Sequence, residues 1–153
     1  MLIIGLGNLD RGDDAAGLLV ARGLLEKGIS AIAHNGDPMD LIEILTTAEC
    51  TVLVDAVVTG GAYKAQPGTL HIWDARESKL RNKVFRSSTH ALGLAEALEL
   101  ARTLDRLPKQ LTVYGIEAAR FGAGTPPSIP VLAGVEKAVA RIASSLASRG
   151  FPS

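Results

Sequence analysis

Three positions in this chain set a chemically capable side chain where an α/β protein gathers its chemistry: Asp14, Asp55 and His90. Asp14 belongs to the adjacent pair Asp13-Asp14, which follows an apolar run and a glycine turn, Met1-Leu-Ile-Ile-Gly5-Leu-Gly7-Asn8. Asp55 stands within or at the end of the apolar run Thr51-Val-Leu-Val-Asp55-Ala-Val-Val58. A carboxylate there is costly to bury without a partner. His90, in Ser88-Thr89-His90-Ala-Leu-Gly-Leu94, falls at the start of a leucine-rich helical pattern. The positive end of a helix dipole disfavours imidazolium, which keeps the ring neutral and able to bind metal. Two carboxylates and one imidazole form a three-ligand set with open positions. Each residue also has a structural reading. Asp13 can cap a helix with Asp14 as a first-turn acid, Asp55 can be a hydrogen-bonded core carboxylate, and His90 can simply belong to a helix start. Residue types and spacing therefore reach a candidate divalent-metal site in a small α/β domain, and no further.

Other chemistries fit poorly. A dinucleotide fingerprint, Gly-x-Gly-x-x-Gly, fails at its third glycine, where Asp10 stands. A phosphate cradle is opposed by Asp13 and Asp14 at the helix start, which would repel an anion. Neither His-Glu-x-x-His nor Gly-x-Ser-x-Gly occurs. Cys50 has no His nearby in sequence to activate it and reads as a small buried residue. As the single cysteine it precludes an internal disulfide and fits a reducing, cytoplasmic setting. Sixteen basic and sixteen acidic residues cancel, so nothing favours nucleic acid or an anionic membrane. No apolar run reaches membrane-spanning length, and Met1 enters a strand without a basic leader, so no targeting segment is expected.

The elements that must position these residues follow from hydrophobic patterning. Met1 to Ile4 has no polar alternation and reads as a strand buried on both faces. A helix is expected from about Asp13 to Lys27, stopped by Gly28. A second strand spans Ile29 to His34, turn chemistry occupies Asn35-Gly36-Asp37-Pro38, and a short helix spans Asp40 to Ala48. Thr51 to Val58 is a third, buried strand carrying Asp55. A loop from Thr59 to Pro67 leads to a short strand, Leu70 to Trp73, suited to an antiparallel edge. Asp74 to Ser88 is the least regular stretch, holding Arg76, Lys79, Arg81, Lys83 and Arg86, a solvated run or a docking face for an acidic partner. A helix then opens at Ser88 or Thr89 and runs to about Leu104. Gln110 to Ala118 is the last strand, and Ser128 caps a final helix with Val131, Val135, Val139, Ile142 and Leu146 on its apolar face. Strands alternating with helices across 153 residues predict one domain, a three-layer α/β sandwich with a mostly parallel, twisted sheet of about five strands. The turn after the first strand lies at a strand carboxyl end, where open α/β sheets keep their sites.

In order along nearly the whole chain, these landmarks resemble the nickel-iron hydrogenase maturation endopeptidases. Gly5-Leu-Gly-Asn8 with Asp13-Asp14-Ala-Ala-Gly17 is similar to that family's opening, Asp55-Ala56 to its strand-end Asp-Ala, and Pro67-Gly-Thr69 to its Pro-Gly-Thr. Ser88-Thr89-His90 before a Leu-rich helix, then Gly115-Ile116 and an apolar helix, complete the set. No single piece is specific; the ordered set is. The resemblance implies a phosphorylase/hydrolase-like α/β sandwich and an aspartic-type endopeptidase. Such an enzyme removes the C-terminal extension of a hydrogenase large-subunit precursor after nickel insertion. It also implies that Asp14, Asp55 and His90 contact nickel and carry the catalysis. The nickel is carried by the precursor's cysteines and coordinated transiently, with no organic cofactor. Three oxygen and nitrogen ligands without a thiolate suit that role, since they would hold free nickel loosely and complete a shell begun elsewhere. The expected partner is the precursor, with no nucleic acid or membrane, and the expected chain is a cytoplasmic monomer.

Two stretches depart from the family pattern. Where many members carry an Asp-Gly-Gly-Thr-like stretch, this chain has His34-Asn35-Gly36-Asp37-Pro38, and where many have Pro after the late Gly-Ile, it has Glu117-Ala118. Neither removes a proposed ligand. A peptidyl-tRNA hydrolase has a similar Gly-Leu-Gly-Asn opening, but His34-Asn35 lacks the preceding Thr-Arg, and the chain has no net positive charge for RNA. A non-catalytic nickel-sensing or docking module would keep metal and partner binding without cleavage.

Overall fold

Apolar runs that lack alternation need cover on both faces, and the fold supplies it with two helices on each side of one sheet. The structure, a computed structural model, describes residues 1–76, the backbone of 85–87, and 94–150. Its strands are β1 (Leu2–Leu6), β2 (Ile32–His34), β3 (Cys50–Thr59), β4 (Leu70–Asp74), β5 (Phe85–Ser87) and β6 (Gln110–Glu117). Its helices are α1 (Ala16–Glu26), α2 (Pro38–Leu45), α3 (Leu94–Thr103) and α4 (Ile129–Ser148). The strand order is β2-β1-β3-β6-β4, with β5 paired to β3. β1 pairs in parallel with β2 and β3, and β3 with β6. β4 on β6 and β5 on β3 are antiparallel. The chain thus leaves β1 for β2 on one side and returns to β3 on the other, which makes the β1/β3 junction the topological switch point of the sheet.

Two cores flank the sheet. On one face Val20 and Leu24 of α1 and Val135, Val139 and Ile142 of α4 pack with Ile3, Val54 and Ile116. On the other, Leu41 and Leu45 of α2 and Leu94 and Leu98 of α3 pack with Ile4, Leu53, Val57 and Val113. The three-layer sandwich and the antiparallel edge strand agree with the sequence reading. Among the described residues no helix is long and apolar enough to cross a membrane.

Several boundaries differ from expectation, each for a local reason. α1 begins at Ala16 because Gly12–Ala15 forms a 3-10 turn instead. It ends as expected: Gly28 takes a positive φ of 78° and Ile29 N donates to Leu24 O at 2.9 Å, which satisfies the last carbonyls. α2 starts early, at Pro38, because the Asp37 carboxylate accepts from Met39 N and Asp40 N, and proline suits a first helical turn. β2 is only three residues long, since Ile29 and Ala31 face the core before the ladder begins. β5 lies in the stretch read as irregular. The expected cap at Ser88 or Thr89 lies outside the described residues, as does His90. Cys50 opens β3 half-buried, its thiol 3.6 Å from Gln110 Oε1.

Candidate functional site

The turn after β1 is clamped from several sides. Gly7 has a φ of 146°, and a Cβ there would strike the carbonyl of Asp14, so only glycine serves. Gly7 N donates to His34 O at 3.1 Å and Asn8 N to Asp14 O at 3.2 Å. One helical turn after Asp14, Gly17 lies against the backbone carbonyls of Leu6 and Val54, with no room for a side chain. Val54 immediately precedes Asp55. Asp14 and Asp55 therefore come to the same corner of the carboxyl edge, Asp14 from the 3-10 turn packed on β3 and Asp55 from β3 itself.

The two adjacent acids have separated tasks. Asp13 is fully buried, yet it does not cap its own helix. Its carboxylate accepts from Ser128 N at 2.6 Å, Ser128 Oγ at 2.9 Å, Ala119 N at 2.8 Å and Arg120 N at 2.9 Å. This corrects the helix-cap reading of Asp13; Ser128 does hold the N-cap position of α4, but its hydroxyl donates to Asp13 and makes no cap bond to the helix. Burial pushes the Asp13 carboxyl up, but the donors from Ser128, Ala119 and Arg120 outweigh it and hold the carboxyl below its ordinary value. Asp13 thus ties the turn to the loop after β6. Asp14, 1% exposed, is the acid of the pair left outside that staple.

Asp55, 3% exposed, is not at the end of its strand. β1 pairs with β3 only as far as Gly5 opposite Val54, while β5 joins the same edge from Val57 to Thr59. Asp55 and Ala56 occupy the notch between them. The amide of Ala56, which points into that notch, is satisfied by Asp55 Oδ1 at 2.8 Å. Alternation along β3 puts the Asp55 side chain on the face of Leu53 and Val57, the face covered by α2 and α3. α3 is the helix that follows His90 in sequence. A buried carboxylate in a notch at the switch point is suited to binding a cation or moving a proton. No group of three or more His, Cys, Asp or Glu side chains with metal-binding geometry occurs among the described residues.

Two further polar groups mark this edge. His34 is engaged through both ring nitrogens, Nδ1 accepting from Gly36 N at 2.8 Å and Nε2 lying 2.9 Å from Asp40 Oδ2, so it shapes the turn into α2. Glu117, at the end of β6, is buried against Thr59 and His71. The sequence reading did not single it out, although an acid closing an apolar strand, the signal used for Asp55, could have found it.

Comparison with known proteins follows the same lines. A family model described as hydrogenase maturation protease matches residues 32–145. The hydrogenase 2 maturation protease of Escherichia coli K12 is 28% identical over 98% of this chain and 92% of its own length. The hydrogenase expression/formation protein HupM of Azotobacter chroococcum is 30% identical over 98% of this chain and 73% of its own. Among solved structures, the NiFe hydrogenase maturation protease HybD from Thermococcus kodakarensis is 33% identical with a TM-score of 0.73, covering 95% of this chain and 97% of that one.

Proposed function

This chain belongs to the hydrogenase maturation protease family and is a peptidase, and on that premise we propose that it removes the C-terminal extension of a nickel-iron hydrogenase large-subunit precursor after nickel insertion. The observation that supports this reading is the burial of two carboxylates at the switch-point edge of the sheet: Asp14 on the 3-10 turn packed on β3, and Asp55 on β3 itself, beside the notch where β1 leaves β3. Nickel enters as part of the substrate, held by the precursor's cysteines. Asp14, Asp55 and His90 would complete its coordination, and their oxygen and nitrogen donors discriminate a loaded centre from an empty one by adding to a shell already half built. The metal supplies Lewis acidity toward the scissile carbonyl or a water. The chain supplies placement: Gly7 and Gly17 press Asp14 onto the sheet, and the Ala56 amide orients Asp55. A carboxylate not engaged by the metal serves as general base.

The test is Asp55→Asn. The amide keeps an acceptor for Ala56 N, so folding should survive, while loss of the anion should lower precursor cleavage by roughly 100-fold or more. Intact-mass analysis of nickel-loaded precursor reads the result. Normal processing by a folded Asp55→Asn variant would sink the proposal.

A further inference from the structure

A second buried carboxylate network lies two residue rows along the sheet from Asp55. Glu117 is 2% exposed and closes β6, whose backbone then turns away. The last backbone pair between β3 and β6 is Val57 with Glu117. Past that point the Glu117 side chain takes over the ladder's work. Its Oε2 accepts from Thr59 N at 2.9 Å and its Oε1 from Thr59 Oγ1 at 2.6 Å. Oε1 also lies 3.0 Å from Nε2 of His71 on β4, whose ring stacks on Trp73. Thr59 Oγ1 in turn accepts from Ala65 N at 2.9 Å. One carboxylate thereby joins the tail of β3, the edge strand β4 and the loop after β3.

The tail it pins is the stretch from Val57 to Thr59, which carries β5. β5 forms one side of the notch that holds Asp55, and α3 packs against it. Its last residue, Ser87, precedes His90 by three positions in sequence. On the β6 edge, past Val57, a longer backbone ladder could have held Thr59 without burying an acid, so a buried acid here calls for a role that tolerates little movement.

We propose that Glu117 is a positioning residue of the site: through Thr59 it sets the β3 tail and β5, and with them the width of the notch at Asp55. This role rests on the function proposed above. Second-sphere groups of this kind typically govern 10- to 100-fold in metal affinity or activity. Glu117→Ala and Thr59→Val should therefore lose roughly 10- to 100-fold of the nickel-dependent part of precursor affinity and of single-turnover cleavage. Affinity for nickel-free precursor should stay at the wild-type level. Thr59→Ser, which keeps the hydroxyl, should restore both.

The measurement is calorimetric titration of each variant with nickel-loaded and nickel-free precursor, beside circular-dichroism melting. Folded Glu117→Ala and Thr59→Val variants that keep the wild-type difference between the two precursors would overturn the role. Failure of both to fold would assign the network to stability alone and overturn it too. If wild-type protein itself shows no difference between the precursors, the function reading fails and this role falls with it. Loss of the difference only in the variants, with rescue by Thr59→Ser, establishes it.

Discussion

Replacing Asp13 with Ala tests whether the acidic pair is divided into a structural and a chemical member. The change removes acceptors from Ser128 N, Ser128 Oγ, Ala119 N and Arg120 N. Ala119 and Arg120 are exposed, so water can take their amides. Ser128 is buried, and its two donors face the space left behind. At about 1–3 kcal/mol for each buried donor left unmade, the loss is about 2–6 kcal/mol. The hydroxyl can rotate to a new partner and the amide cannot, which favours the lower part, about 2–3 kcal/mol. For a chain of this size about 1 kcal/mol moves Tm by 2–4 °C, so melting should fall by roughly 4–12 °C. Asp14→Asn should instead keep the fold and lose precursor processing. The pH dependence has a definite sign. The Asp13 carboxyl sits below its ordinary value of 3.8 when folded. Its stabilisation is therefore fully present above that value and is lost as pH falls through the folded pKa. Asp13→Asn should show a flatter acid limb in a series of melts from pH 7 downward. An Asp13→Ala variant that melts with wild type at pH 7 would refute the division of roles.

Two other substitutions probe the scaffold. Gly17→Ala places a Cβ against the backbone carbonyls of Leu6 and Val54, which cannot yield as side chains do. It should cost at least about 3 kcal/mol by denaturant unfolding, and a normal midpoint would mean that α1 does not sit this close. Asp37→Ala removes the cap of α2 and should cost about 1 kcal/mol while leaving precursor cleavage at the wild-type rate in a single-turnover assay.

How far the sequence foretold this structure depended on how local each cause was. Buried strands announced themselves as unbroken apolar runs, and α1 and α4 by helical spacing. The glycine turn marked the switch point because its glycines answer contacts made within seventeen residues. What stayed hidden was set at long range. Nothing near Asp13 says that its partner is Ser128, 115 residues away, so Asp13 read as a local helix cap. β5 was hidden because Phe85-Arg86-Ser87 sits in a basic run with no apolar alternation, and its pairing is dictated by the free edge of β3. For the same reason Asp55 looked like a strand end when it lies mid-strand in a notch between two partners. Glu117 stood out only as a departure from a family pattern; its meaning came from Thr59 and His71 on neighbouring strands.

The most direct measurement is intact-mass analysis of a cognate large-subunit precursor incubated with this protein, with and without nickel in the precursor, for wild type and His90→Ala. Loss of a C-terminal fragment by wild type only when nickel is present, and no loss with His90→Ala, is the predicted result. Equal cleavage of nickel-free and nickel-loaded precursor would contradict it and would leave Asp14, Asp55 and His90 without a part in reading the metal.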